Sequence, residues 1–218
     1  MMQSRPLAEF FGAAKPMSVA DWRLAATRLR VEPAAIRAVA QQEAFGRSGF
    51  LSDKRPIILF EAHQFGKFTN HRFDAAYPTL STVHWDRSLY LGGAAEYDRL
   101  AAAIRLDRTA ALRATSWGMF QIMGFNHAVV GYGDVEKFVR AMCDSEGDQL
   151  QAFVTFVQKQ SPLLRALQGH NWARFALLYN GEGYKQNNYD RNMALYYKRF
   201  RSDTVWLAGA AQRPPHGP

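Results

Sequence analysis

The stretch AAIRAVAQQEAFGRSGFL, residues 34–51, decides how this chain is read. Its first part has the spacing of a helix: Ile36, Val39 and Ala40 lie on one apolar stripe, and the next position on that stripe is Glu43. Pro33 stands where a first helical residue belongs, and Gly46 is placed to supply a left-handed C-cap, so the helix is expected to end near Phe45–Gly46. A carboxyl on the apolar side of a helix's C-terminal end is disfavoured as an anion. Desolvation opposes the charge, and so do the carbonyls of the last turn. Kept protonated near neutral pH, such a group has the property a general acid needs. The alternative is that the last turn frays and Glu43 faces solvent.

Working outward, the punctuation is mostly that of helices. Ser18 and Asp21 have capping-box spacing before an amphipathic segment. Downstream, PIILFEAH (56–63) reads as a short strand, and residues 65–93, rich in aromatic, polar and glycine residues, read as irregular. This is the only region expected to contain β-structure. Helices are then expected over AAEYDRLAAAIRL (94–106), after Asp107, over SWGMFQIMG (116–124), after Asp134 and after Ser145. Three more are expected: one opened by Ser161–Pro162, WARFALLYN opened by Asn171 and ended by Gly181, and a last one over YDRNMALYYKRF (189–200). In the last of these Tyr189, Met193, Tyr196 and Phe200 share one face. The expected class is mainly α with a small extended insert after the Glu43 helix.

The chain has 218 residues, of which 48% are hydrophobic, enough for one sizeable core. The expected organisation is a loosely attached segment at 1–16, one domain over 17–205, and a disordered tail at 206–218 that is small and proline-rich. No apolar run approaches the roughly 18 to 20 residues of a membrane-spanning helix. The N-terminus lacks the uninterrupted apolar core of a secretory signal, so synthesis in the cytoplasm is expected. A single cysteine, Cys143, excludes an internal disulfide and a multi-cysteine zinc site. The formal net charge of +8 favours anionic partners, but no dense Lys/Arg block singles out one of them.

Two further stretches, TSWGMFQIMG (115–124) and YNGEGY (179–184), follow Glu43 in the order found in lysozyme-like enzymes. The chain is most similar to the phage-endolysin N-acetylmuramidase family. It resembles that family in QQEAFGRSGFL, RPIILFEAHQF, TSWGMFQIMGFNH, SEGDQLQAFVTF and YNGEGY, over roughly residues 18–200. The resemblance implies a lysozyme-like fold and a peptidoglycan glycosidase that cuts between N-acetylmuramic acid and N-acetylglucosamine and lyses bacteria. It implies that Glu43 is the acid and that no cofactor is needed. Relatives more often have a serine where this chain has Ala44, which removes a polar contact but leaves the carboxyl.

A sugar site needs amides and hydroxyls beside aromatic platforms. Ser116, Gln121, Tyr179 and Asn180 supply the first, and Trp117, Tyr184, Trp85 and Phe120 are candidates for the second, with core packing the competing role for Trp117 and Phe120. A retaining glycosidase places its two carboxyls about 5 Å apart and an inverting one roughly 6.5–9.5 Å apart. The candidates for the second carboxyl are Asp53, Glu61 and Asp74. Glu61 is favoured, being flanked by Leu59–Phe60 and sharing one face of the expected strand with His63. Its competing role is a structural ion pair with an arginine or with His63. Glu61, His63 and His71 lack the spacing of a metalloprotease motif, and no catalytic metal is expected.

The expected partner is bacterial peptidoglycan, met in the periplasm or at the wall by a monomer, with surface charge attracting anionic wall polymers or lipopolysaccharide. Nucleic acid is not expected as a partner. The rival readings are a lytic transglycosylase on the same fold, and a non-catalytic protein that binds wall glycan or nucleic acid.

Overall fold

The structure, a computed structural model, describes residues 8–44 and 46–203. The tail expectation for 206–218 and the Phe45 end of the first motif's helix lie outside the described residues. In chain order the helices begin with α1 (Val19–Leu29) and α2 (Pro33–Glu43). Strand β1 (Ile58–Phe60) and helices α3 (Ala62–Phe68), α4 (Glu96–Leu106) and α5 (Arg108–Arg113) come next. A hairpin, β2 (Thr115–Trp117) and β3 (Ile122–Met123), precedes α6 (Val135–Asp144) and α7 (Glu146–Lys159). The chain ends in α8 (Ser161–Gln168), α9 (Trp172–Asn180) and α10 (Tyr189–Arg201). The fold is mainly helical with one small sheet, as the composition and periodicity predict.

These elements form two compact units, each assembled from two stretches of chain. One draws its described residues from Met1–Pro16 and Arg47–Phe156, the other from Met17–Gly46 and Val157–Pro218.

The helix starts follow their local signals. Asp21 N–H donates to Ser18 Oγ, and the Asp21 carboxylate accepts from Ser18 N–H, completing the capping box. Asp107, Asp134, Ser145 and Asn171 each accept a backbone N–H three residues on, so each satisfies one of the orphan donors of its helix. The start of α8 differs by one residue: Gln160 is the N-cap, and Ser161–Pro162 already belong to the first turn.

In the first unit the sheet runs β1–β2–β3, antiparallel throughout. Ile58 faces Trp117 and Phe60 faces Thr115 across the first ladder. SWGMFQIMG, expected as a helix, is therefore a hairpin. The reason is local backbone: Gly118 (φ +71°) and Gln121 (φ +48°) lie in the left-handed region, which an α-helix cannot contain. A Cβ on Gly118 would also lie 2.5 Å from Gln149 Cδ. Strand β1 ends at Phe60, and Glu61 is the N-cap of α3. The region after residue 61 is thus less irregular than its composition suggests.

The core of this unit is aromatic. Phe10 packs against Tyr97 (centroids 5.5 Å apart) and Trp117 (5.6 Å), and Phe120 stacks on Phe153 at 4.4 Å. Burying each such ring contributes roughly 2–3 kcal/mol. Residues 8–16, expected to be loosely held, are anchored through this buried Phe10 and through Ala14 and Lys15, whose N–H groups donate to Cys143 and Asp144 carbonyls. Cys143 is buried, and burial pushes its thiol up to about 12, which leaves it an inert core residue.

In the second unit α2 is buried almost all round, rather than along one stripe: Ala34, Ala35, Ile36, Ala38, Val39, Ala40 and Gln42 are all buried. Alanine allows this, because it is the best helix former and adds little girth. The main partner of α2 is α10; Arg37 lies over the Phe200 ring of α10 at 4.2 Å and pairs at 3.0 Å with Asp203, just past the end of that helix. Met193 of α10 is fully buried, while Tyr189, Tyr196 and Phe200 of the expected face are half-buried.

Candidate functional site

Glu43 is the last residue of α2 and Asn180 the last of α9. Asn180 Nδ2 donates to Glu43 Oε1 at 2.9 Å. The Glu43 side chain keeps partial access to solvent, yet dense protein surrounds the carboxyl. That desolvation pushes its pKa up to about 7, with the Asn180 bond opposing it. Tyr179, stacked on Phe175 at 5.4 Å, has its phenol raised well above the usual range by burial and by the nearby Glu43. Asn180 Oδ1 is buried without a hydrogen-bond partner among the described residues. An orphan acceptor of this kind costs roughly 1–3 kcal/mol. Gly181 (φ +78°) then turns the chain out of α9 into the segment carrying Tyr184, which is 7% exposed.

A raised carboxyl pKa makes stability depend on pH. The folded protein holds the Glu43 proton up to about pH 7, while the unfolded chain releases it near 4.5. Folding is therefore favoured in full below the unfolded value, and this contribution is lost progressively as pH rises from 4.5 to about 7. Denaturant unfolding of wild type and Glu43→Gln, compared at pH 4.5 and pH 8, is expected to show the variant gaining about 2–3 kcal/mol relative to wild type over that interval. A constant difference would mean that the carboxyl is solvated.

A second cluster lies in the other unit. Glu61 Oε2 accepts from Tyr90 Oη at 2.6 Å, and Trp85 Nε1 donates to the same phenol oxygen at 2.7 Å. His63 Nε2 lies 3.0 Å from Gln64 Nε2, an amide donor, which leaves the proton on Nδ1, 3.3 Å from Glu61 Oε2. Burial raises the Glu61 pKa, partly offset by the Tyr90 bond and by Arg99, while burial and Lys67 lower that of His63. Below Glu61 runs a buried ion pair. Glu96, with no exposed surface, accepts from Arg99 (3.0 Å), Phe60 N (3.2 Å), Leu91 N (2.7 Å) and Gly92 N (3.0 Å). Arg99 donates in turn to Phe60 O and Thr79 O. The arginine thus bonds Glu96 directly and acts on Glu61 only through its charge.

The other carboxyl candidates are committed elsewhere. Asp53 pairs with Arg55 at 2.6 Å; burial pushes it up, but the arginine bonds outweigh that and hold it low. Asp74 accepts from Ser81 Oγ and lies 3.0 Å from His71 Nδ1.

The hairpin motif has a structural task. Ser116 Oγ donates to Gln121 Oε1 (2.8 Å), and Gln121 Nε2 donates to Gly118 O (2.8 Å), closing the turn on itself. Trp117, expected as a possible sugar platform, has no exposed surface and donates Nε1–H to Leu112 O; a ring with both faces in the core cannot stack on a ligand. Phe120 is buried in the same way. Two buried residues that sequence reading missed fasten the motifs together. Gln149 accepts from Met119 N (2.7 Å) and donates to Met142 O (2.9 Å). Glu146 accepts from Ser48 Oγ (2.6 Å) and Gly49 N (2.7 Å). Their only signal was a polar residue at a core position of α7. Tyr90, in a segment with no periodicity, had none.

Among the described residues no group of three or more metal-ligating side chains converges, and no helix is long and apolar enough to cross a membrane. A model of the N-acetylmuramidase family matches residues 32–201. Among curated protein sequences none matches the chain. Among solved structures the chain is similar to the endolysin of Burkholderia phage AP3, at 44% identity and a TM-score of 0.80, over 87% of this chain and 72% of that one.

Proposed function

This chain belongs to the N-acetylmuramidase family, and from that premise we propose that it acts as an endolysin-type lysozyme in which Glu43 protonates the glycosidic oxygen between N-acetylmuramic acid and N-acetylglucosamine. The observation that carries this reading is a carboxyl at a helix end whose pKa lies at about 7, matched to donating a proton at neutral pH. The chain is a glycosidase by family, and cleavage of the β-linked strand needs an acid of this kind for its leaving group.

Asn180 orients the carboxyl by donating from Nδ2 to Glu43 Oε1. Tyr179 and Tyr184 complete the polar and aromatic surroundings on that side. Glu61, half-buried and held by Tyr90, is the second carboxyl assigned to the reaction in this reading. Ser116 and Gln121 contribute by keeping the hairpin rigid, and offer the ligand only their remaining hydrogen-bonding capacity. The protein works as a monomer without a cofactor. It is made in the host cytoplasm and reaches the wall once the inner membrane is breached. The +8 charge draws it toward anionic wall polymers and lipopolysaccharide, and cleavage ends in lysis.

Mass spectrometry of fragments released from purified peptidoglycan tests the reaction. Products with a hydrated muramic acid reducing end are expected. A 1,6-anhydro end would replace hydrolysis with transglycosylation, and an absence of fragments would leave a glycan-binding protein.

A further inference from the structure

Trp85 is 58% exposed, yet its one polar atom points inward, donating to Tyr90 Oη, which itself donates to Glu61. The indole and phenol rings meet edge to face, with centroids 6.3 Å apart. An exposed tryptophan whose N–H is already used offers a ligand only its apolar ring. Val83 and Leu91 of the same segment are also exposed.

The segment that bears these rings is braced despite its exposure. Asp86 caps the 3-10 turn Arg87–Leu89 by accepting from Ser88 N, and buried Glu96 accepts from Leu91 N and Gly92 N. A large apolar surface held rigid in water, and tied through one phenol to a partly desolvated carboxyl, has a cost that a ligand would repay.

We propose that Trp85 and Tyr90 form a carbohydrate subsite beside Glu61, in which the indole stacks on the apolar face of an N-acetylated pyranose and Tyr90 is the positioning residue for the Glu61 carboxylate. The occupant is a sugar of the glycan strand, because a pyranose pairs an apolar face with peripheral hydroxyls, as this surface pairs an apolar ring with a carboxylate rim. The subsite rests on the muramidase reading given above.

The test separates the two. In a Glu43→Gln background, where turnover does not interfere, binding to purified peptidoglycan sacculi and to a tetramer of N-acetylglucosamine is measured by co-sedimentation and calorimetry. Trp85→Ala is expected to weaken both about tenfold, the worth of one good aromatic contact. Trp85→Phe, which keeps a stacking face and lacks the N–H, is expected to restore binding to within about threefold of the parent. Equal binding by the parent and Trp85→Ala overturns the subsite and leaves the muramidase reading standing. Failure of the Glu43→Gln parent itself to bind sacculi overturns both.

Tyr90→Phe, with Glu43 intact, tests positioning. The groups facing Glu61 are Tyr90, His63 from α3, and Arg99 and Glu96 from α4. Loss of the phenol O–H removes a bond to the ionised form. The acid limb of kcat/KM is expected to move up by about one pH unit. An unmoved limb excludes Tyr90 from that role.

Discussion

Glu43→Gln is expected to cut the rate of wall digestion by roughly 10²–10⁴-fold, the usual worth of a general acid. The substitution is isosteric, and the glutamine Oε1 still accepts from Asn180 Nδ2, so the helix end and its contact survive. Only the transferable proton is lost. Turbidity loss of permeabilised bacteria gives the rate, and binding to sacculi shows that the fold and substrate contact persist. In wild type the rate is expected to fall as pH rises through about 7, where the acid loses its proton. Asn180→Leu removes the bond that favours the anion, so that descending limb should move to higher pH. Lysis by Glu43→Gln at near wild-type rate would sink the assignment of the acid.

Glu96→Ala is expected to destabilise the protein by about 3–5 kcal/mol, read as a lowered denaturant midpoint at unchanged slope. The deletion strands the buried Arg99 guanidinium without its counter-charge and leaves the N–H groups of Phe60, Leu91 and Gly92 without their acceptor. The pair ties β1, α4 and the Trp85–Tyr90 segment to a single carboxylate, so its loss also loosens the surroundings of Glu61. The exposed Arg72–Asp107 pair is the control: Arg72 side-chain exposure is 56%, and Arg72→Ala is expected to cost less than about 1 kcal/mol. A cost for Glu96→Ala as small as that of the control would show that the site is wet.

Helix starts were legible because their causes are local. The Ser18–Asp21 box and the caps at Asp107, Asp134, Ser145 and Asn171 each join residues three apart, so a short window contains the whole interaction. The hairpin at 115–123 was misread as a helix because its apolar spacing fits either period. Its true signals are a left-handed Gly118 and a left-handed Gln121, and the second cannot be inferred from residue type.

By its sequence alone the protein was committed to a mainly helical fold and to a carboxyl on the apolar stripe at the end of α2, since apolar periodicity and end signals act within a few residues. What that carboxyl can do was decided only in three dimensions. Asn180, 137 residues away, reaches it, and dense packing lifts its pKa. Likewise Tyr90, 29 residues from Glu61, turns an isolated acidic residue into part of a braced cluster. Desolvation and long-range hydrogen bonds depend on which surfaces meet, and no local pattern encodes that meeting.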